Sequence, residues 1–448
     1  MNDSKNYLKK ITWASTAFLG LFAVILSSSA FAREVSYDRY APVYTKTPAA
    51  STAFRKVSTG LLTYPLEPLR ALANETLLTL EKYHLKDKAM WVYDTLGDNG
   101  ITPKAGTVAP FQGIMGADVD FIKMARLKTE MPDAILHGHV VNVRDLLFRT
   151  GAQAGLERIG GSGLYVHADF SYEYRPQDYY YGIGPHTSRG DGGVFSYEET
   201  AVGPEIGYQL TDDLKAYYSI QYRNINIGEG HRSGRLQARD FGPAGSLSGG
   251  FGDKLLSQEF ALAHDTRNHQ EHSDRGGLRR ISIGYHEGLE DSRARYLKYQ
   301  AELSRYLSLW SPRRVLVARA FAEQNSELGS GEMPFHQMAK LGGYGDTYYQ
   351  SQTLRAYGPN RFFDDASVLF NLEYRYNIWQ YRDFRTDAVA FFETGQVFSR
   401  PGQFQFDDFR ESYGGGVRVS IAYVPVMSIE AAHGDEGTNF YVKSEMPF

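Results

Sequence analysis

Between Ser367 and Ile378, hydrophobic and polar residues change places at nearly every step. Val368, Phe370, Leu372, Tyr374, Tyr376 and Ile378 share one parity, while Ser367, Asn371, Glu373, Arg375 and Asn377 share the other. A period of two places the sets on opposite faces of a β-strand. The alternation recurs from Tyr296 to Leu309, where Leu297, Tyr299, Ala301 and Leu303 oppose Lys298, Gln300, Glu302 and Ser304. It returns in Tyr218, Ile220 and Tyr222, and again in Ile281, Ile283 and Tyr285. From about Val108 to the C-terminus the pattern predicts strands throughout. One upstream stretch differs. Leu66, Leu69, Leu72, Leu77, Leu80, Leu85, Trp91 and Leu96 recur at three- to five-residue intervals before a Gly97-Asp98-Asn99-Gly100 turn. That spacing predicts one or two amphipathic helices.

Alternation suits a soluble β-sandwich as well as a membrane barrel. The connections separate the two. Short turns near 159–163, 211–213, 311–312 and 424–425 contrast with long polar loops over 184–193, 228–254 and 325–365. Short turns at one end and long loops at the other characterise outer-membrane barrels, and closure leaves no unpaired strand edge in lipid. If the apolar parity faces lipid, Glu373, Arg375 and, on the next strand, Glu393 face the lumen.

The N-terminus places the chain in the envelope. Lys5, Lys9 and Lys10 precede an apolar run from Ala17 to Leu26 and then Ala30-Phe31-Ala32. Charged start, short apolar run and small-residue site read as a secretory signal peptide over 1–32. Residues 33–108 are expected to form a periplasmic linker with the amphipathic helices, and 109–448 the barrel. Charged residues at 22% and a mean hydropathy of −0.41 exclude a helical membrane bundle. A net charge of −4 without a basic block argues against nucleic acid. The absence of Cys excludes disulfide scaffolds, thiolate metal sites, cysteine nucleophiles and a lipoprotein anchor. The last residues alternate to the very end: Phe440, Val442, Met446 and Phe448 share one parity, as in the terminal signal of outer-membrane barrels.

Several segments taken in order resemble the BamA/TamA superfamily of outer-membrane assembly and translocation barrels, also called the bacterial surface antigen family. They are His264-Asp265-Thr266-Arg267-Asn268 with Asp274-Arg275-Gly276-Gly277, then Gly331-Glu332-Met333-Pro334-Phe335 with Leu341-Gly342-Gly343. Leu354-Arg355-Ala356-Tyr357 follows, then Asn371-Leu372-Glu373-Tyr374-Arg375, Phe391-Phe392-Glu393-Thr394-Gly395 and Tyr413-Gly414-Gly415-Gly416-Val417-Arg418. Ala356 stands where the family motif has glycine, and Glu393 where its strand motif has aspartate. The resemblance implies an all-β, antiparallel transmembrane barrel of about 16 strands, with 14 as the alternative count. Five strands after the loop, at about 366–378, 387–398, 411–424, 426–433 and 438–448, leave eleven before it. Eleven are reached by dividing Phe111–Arg158 into four. The resemblance also implies that loop 325–365 folds inward and that Arg355 pairs with Glu373 and Glu393. A planar guanidinium suits that role because it grips carboxylates in bidentate fashion.

Relatives carry periplasmic POTRA modules, but only 33–107 is available here and its pattern is helical. A barrel without POTRA modules is expected. The implied function is non-enzymatic: assisting insertion or translocation of protein or lipid through a weak seam between the first and last strands. The implied partners are outer-membrane lipid, a client protein or lipid, and a periplasmic accessory protein. A passive or selective pore and a surface-exposed structural barrel remain as alternatives. No catalytic, cofactor or metal residue is expected. His264, Asp265, His269, His272 and Asp274 read as a polar turn, and His186-Thr187-Ser188 lacks the glycines of a nucleophile elbow.

Overall fold

The computed structural model describes residue 95 and residues 99–448, except 109–111, 121–132, 144–146, 231–246, 270–271, 346–351, 382–383, 422–423, 444–445 and 448. The expected signal peptide and linker and the predicted helices over 65–96 lie outside the described residues, apart from Thr95, which is helical. The first four strands are short: β1 (Ile101–Val108), β2 (Gln112–Asp120), β3 (Ala134–Val143) and β4 (Leu147–Leu156). Seven longer ones follow: β5 (Leu164–Tyr180), β6 (Gly193–Thr211), β7 (Leu214–Glu229), β8 (Gly252–Asp265), β9 (Gly276–Gly288), β10 (Arg295–Ser308) and β11 (Arg314–Glu327). The next connection carries two three-residue strands, β12 (Ala339–Leu341) and β13 (Phe362–Asp364). Five more complete the chain: β14 (Ala366–Tyr381), β15 (Phe384–Phe398), β16 (Arg410–Ile421), β17 (Val424–Gly434) and β18 (Gly437–Lys443).

Sixteen of these strands form one antiparallel sheet in chain order, and β12 and β13 form a separate two-stranded pair. Eleven strands therefore precede the long loop and five follow it. The sheet is open in its hydrogen bonding: among the described residues no ladder joins β1 to β18. The division of 111–158 differs from expectation, since it holds three strands and the remaining one lies upstream, ahead of the expected boundary at 109. Pro103 and Gly106 obscure the two-residue period of β1. Among the described residues β1 is laddered only with β2, and an end strand is where proline is tolerated.

The wall is inverted relative to a soluble protein. Ser367, Asn371, Glu373, Arg375 and Asn377 of β14 are buried on the inner face, while outward residues such as Ile281 of β9 remain 59% exposed. Lipid solvates the outer band of such a barrel, so polar alternation turns inward. The connections at one end are short (212–213, 309–313), and those at the other are long (181–192, 328–361, 399–409).

The last strand departs from its expected course. Alternation was expected through Phe448, but β18 ends at Lys443. Phe440 stands outward and 73% exposed, Val442 and Met446 are half-buried, and Phe448 lies outside the described residues. Pro447 has no amide hydrogen to extend a ladder, and its carbonyl lies 3.0 Å from where a side chain on Gly345 would begin. The chain end thus approaches the long loop.

Candidate functional site

The connection between β11 and β14 is packed into the lumen. Its entry depends on Gly342 and Gly343, whose φ values of +130° and +82° disfavour other residues. A side chain at Gly342 would also overlap the Gly358 carbonyl. The folded loop has two apolar faces. Leu341, Tyr344, Leu354 and Tyr357 pack with Leu369 and Phe391 of the C-terminal wall. Met333, Phe335 and Phe363 pack with Tyr180, Phe195 and Tyr296 of the opposite wall. The loop therefore spans the lumen between β5–β10 and β14–β18.

At its tip, Arg355 is fully buried and meets three carboxylates. Its backbone N–H and Nε donate to Glu393 at 2.7 and 2.8 Å, and Nη1 donates to Glu430 at 2.6 Å. Glu373 accepts from Nη1 and Nη2 at 3.3 Å each. The guanidinium carbon lies 3.3 Å from the centre of the Phe391 ring, a cation–π contact in a site shielded from water. Arg418 of β16 clamps Glu373 at 2.6 and 2.7 Å and reaches Glu430 at 2.6 Å, while Arg375 donates to Glu373 at 2.6 Å. Three arginines thus balance three glutamates. Burial opposes the charge on Arg355, but Glu393, Glu430 and Glu373 outweigh it and raise its pKa. Charges this deep are sustained only when the geometry satisfies them together, and removing one partner is costly.

Both expected partners, Glu373 and Glu393, therefore meet Arg355. The substitution at Ala356 is accommodated by the wall: its N–H donates to Ser412 Oγ at 2.9 Å, and Gly434 opposite leaves room for its methyl group. Glu393 receives both the backbone and the side chain of Arg355. Sequence reasoning missed Glu430 and Arg418 as members of the cluster. Their signal was a charge on the inner parity of an otherwise small or apolar strand. It placed β18 but missed its contact with the loop, where Tyr441 Oη and Asn439 Nδ2 donate to the Arg355 carbonyl at 2.7 and 3.3 Å.

Further contacts moor the loop to both walls. An irregularity between Arg175 and Asp178 of β5 turns Asp178 inward, where it accepts from Asn360 at 2.7 Å. Arg361 bonds Glu436 and Thr187, each at 2.7 Å. His336 meets Asp253 at 2.9 Å, and Gln337 accepts from Arg223 at 3.0 Å. Burial, followed by the nearby Arg175 charge, pushes the Lys340 ammonium down to about 7.

The histidine-rich turn disperses. Asp265 binds Arg267, Asp274 accepts from Asn268 at 2.8 Å, and His272 reaches Asp387 at 2.8 Å. His186 lies 3.1 Å from Asp408.

Residues 149–440 match the Omp85 superfamily domain, well over half of the chain. No curated protein matches it. Among solved structures, BamA from Haemophilus ducreyi lacking POTRA domains 1-3 is similar at 14% identity, covering 77% of this chain and 69% of that one with a TM-score of 0.57. CdiB from Escherichia coli is similar at 14% identity, covering 77% of this chain and 62% of that one with a TM-score of 0.49. At such identity the likeness to BamA bears on the fold, and the match over 149–440 supplies the family. The chain belongs to the Omp85 superfamily and is an outer-membrane β-barrel.

Proposed function

We propose that this barrel assists the insertion or translocation of protein or lipid in outer-membrane biogenesis, without catalysing a reaction. Membership of the Omp85 superfamily over 149–440 is the observation that carries the reading. Two features of the barrel support it. Among the described residues no ladder joins β1 to β18, which gives a client an edge to enter. The loop moored by Arg355 fills the lumen at its long-loop end, which suits lateral handling of a client better than passive flow through an open pore. Arg355, with Leu354, Ala356 and Tyr357, holds the interior in register while the seam works. Outer-membrane lipid surrounds the barrel, the client is a protein or a lipid, and a periplasmic accessory protein delivers it.

Depletion in the native cell tests the reading, with outer-membrane protein and lipid measured side by side. Loss of particular proteins or lipids before any change in small-solute uptake is expected. Large, stable, ion-selective channels from the purified barrel, with membrane composition unchanged on depletion, would establish a pore instead.

A further inference from the structure

Arginines interrupt the apolar outward face of the wall near its short-turn end. Counting by twos from the outward residues Ile281 and Tyr299 places Arg279 of β9 and Arg305 of β10 on that face. The register sets Arg279 opposite Leu303 and Arg305 opposite Gly277. The two arginines are therefore diagonal neighbours on adjacent strands, roughly 7–8 Å apart at the backbone. Gly277 puts no side chain between them, and one added there would run into the Ser304 carbonyl. A notch thus lies between two cationic arms.

The protein does not neutralise either arm. Among the described residues Arg305 has no hydrogen bond or ion pair, and Arg279 only donates from Nη1 to His264 Nδ1 at 3.3 Å. Arg314, at the start of β11, differs: it is buried, with its guanidinium carbon 5.1 Å from the centre of the Tyr376 ring. The outward parity of β9, β10 and β11 carries one carboxylate, Glu287, at the long-loop end and 3.9 Å from Arg295. A charge facing hydrocarbon is costly at mid-membrane and tolerable close to the headgroups. Arg279 and Arg305 meet that condition, as the fourth residue of β9 and the third before the end of β10. Trp310, 51% exposed in the turn after β10, and Tyr374 and Tyr376 on β14 lie toward the same end, as in an interfacial girdle. Short turns face the periplasm, so this is the periplasmic leaflet.

We propose that Arg279 and Arg305 bind the phosphodiester of an anionic phospholipid in the periplasmic leaflet, across the notch at Gly277. Each guanidinium approaches one non-bridging oxygen of the phosphate, to which its planar fork is suited. The acyl chains continue over Leu303 and Ala320, which pair directly, toward the middle of the membrane. The occupant is a lipid because lipid covers this face, and it is anionic because two unneutralised cations meet it there. Phosphatidylethanolamine brings an ammonium toward those cations, whereas phosphatidylglycerol brings none. The inference depends on placement in the outer membrane and not on the proposed transport role.

The full-length protein is reconstituted in nanodiscs of equal phosphatidylethanolamine and phosphatidylglycerol, then extracted gently and weighed by native mass spectrometry. One basic side chain near the headgroups is worth about fivefold in affinity for anionic lipid, so wild type should favour phosphatidylglycerol by about 25-fold. Arg279→Gln and Arg305→Gln should each lower that ratio about fivefold, and the double variant should bring it close to unity. Arg305→Lys should fall between wild type and Arg305→Gln, because it keeps the charge and loses the fork. Arg295→Gln, which removes an outward arginine at the long-loop end, should behave as wild type. Heat-modifiable gel mobility checks that each variant folds, and Arg305→Leu, suited to a lipid-facing site, replaces Arg305→Gln if that one does not. Equal retention of the two lipids by wild type overturns the proposal, as does an unchanged ratio in the double variant. An equal loss in Arg295→Gln overturns it too, since net charge alone would then be read. So does recovery of a second copy of the chain in place of lipid.

Discussion

The two sides of the lumen use the same side chains to different ends. On β4–β7, Arg149 pairs with Glu173 at 2.5 Å and Arg223 with Glu199 at 2.5 Å, bordering an open cavity of about 480 Å³. Arg149 keeps 20% of its side-chain surface. On β14–β18, Glu373 and Glu430 share Arg418 while Arg355 descends from the loop to complete the set, and all four are buried. What separates the sides is a charged loop side chain, Arg355, that completes the second set, where Arg355, Glu373, Glu430 and Arg418 are all at most 2% exposed. Near water an ion pair contributes little, because solvent replaces either partner. Sealed, the same pair becomes a condition for keeping the loop in place.

The strongest way to break this contrast is Arg355→Ala. It leaves carboxylates buried without their cation, costing about 3–5 kcal/mol of loop docking. The barrel wall should persist while limited proteolysis of 325–365 accelerates sharply. Arg355→Lys should restore docking only partly, since an ammonium lacks the planar fork. A double-mutant cycle with Glu393→Gln measures the coupling, and additivity there would reduce Arg355 to an ordinary loop residue.

Gly434→Ala probes fit instead of charge. The added methyl would stand 2.7 Å from the Ala356 side chain, so the loop should lift at a cost of about 1–3 kcal/mol. Unchanged proteolysis of 325–365 would mean that the contact yields freely.

Lys340 sharpens the comparison through pH. It faces the charges of Arg175, Asp178, Lys298 and Glu323, and burial holds its pKa at about 7 in the docked loop. Freed, it returns to about 10.4 and takes up a proton, so docking strengthens as pH rises through that window, by at most about 1.4 kcal/mol per unit. Below 7 this contribution is flat. Lys340→Met should abolish the trend between pH 7 and 10 in loop proteolysis. His336 and Asp365 titrate below the window: burial lowers the first, and burial with the Asp364 and Glu327 charges raises the second to about 6.

The smallest effect belongs to the wetter wall. Arg149→Met should lower barrel thermal stability by less than the ~3–5 kcal/mol of Arg355→Ala, since Arg149 keeps 20% of its side-chain surface and Arg175 stays 3.4 Å from Glu173. A loss comparable to that of Arg355→Ala would show the two sides to be alike.

Much of this was legible in the order of residues. Period two separated inner from outer faces in β10 and β14, and the parity of Glu373 and Glu393 placed both carboxylates inside. The convergence of Glu430 and Arg418 on the same point was not legible. It depends on how β16 and β17 are staggered against β14, and hydrogen-bond register accumulates across strands without leaving a local mark. β1 was missed because Pro103 and Gly106 interrupt its alternation. The end of β18 at Lys443 was placed too late because the parity of the sequence continues beyond it.

The hydrogen bonds from Tyr441 and Asn439 to the Arg355 carbonyl make the terminal strand and the loop mechanically one body. An edge that swings outward must either haul the plug with it or snap that tether first. Movement at the wall would thereby be converted into tension at the centre of the lumen, on the same thread that keeps the interior shut.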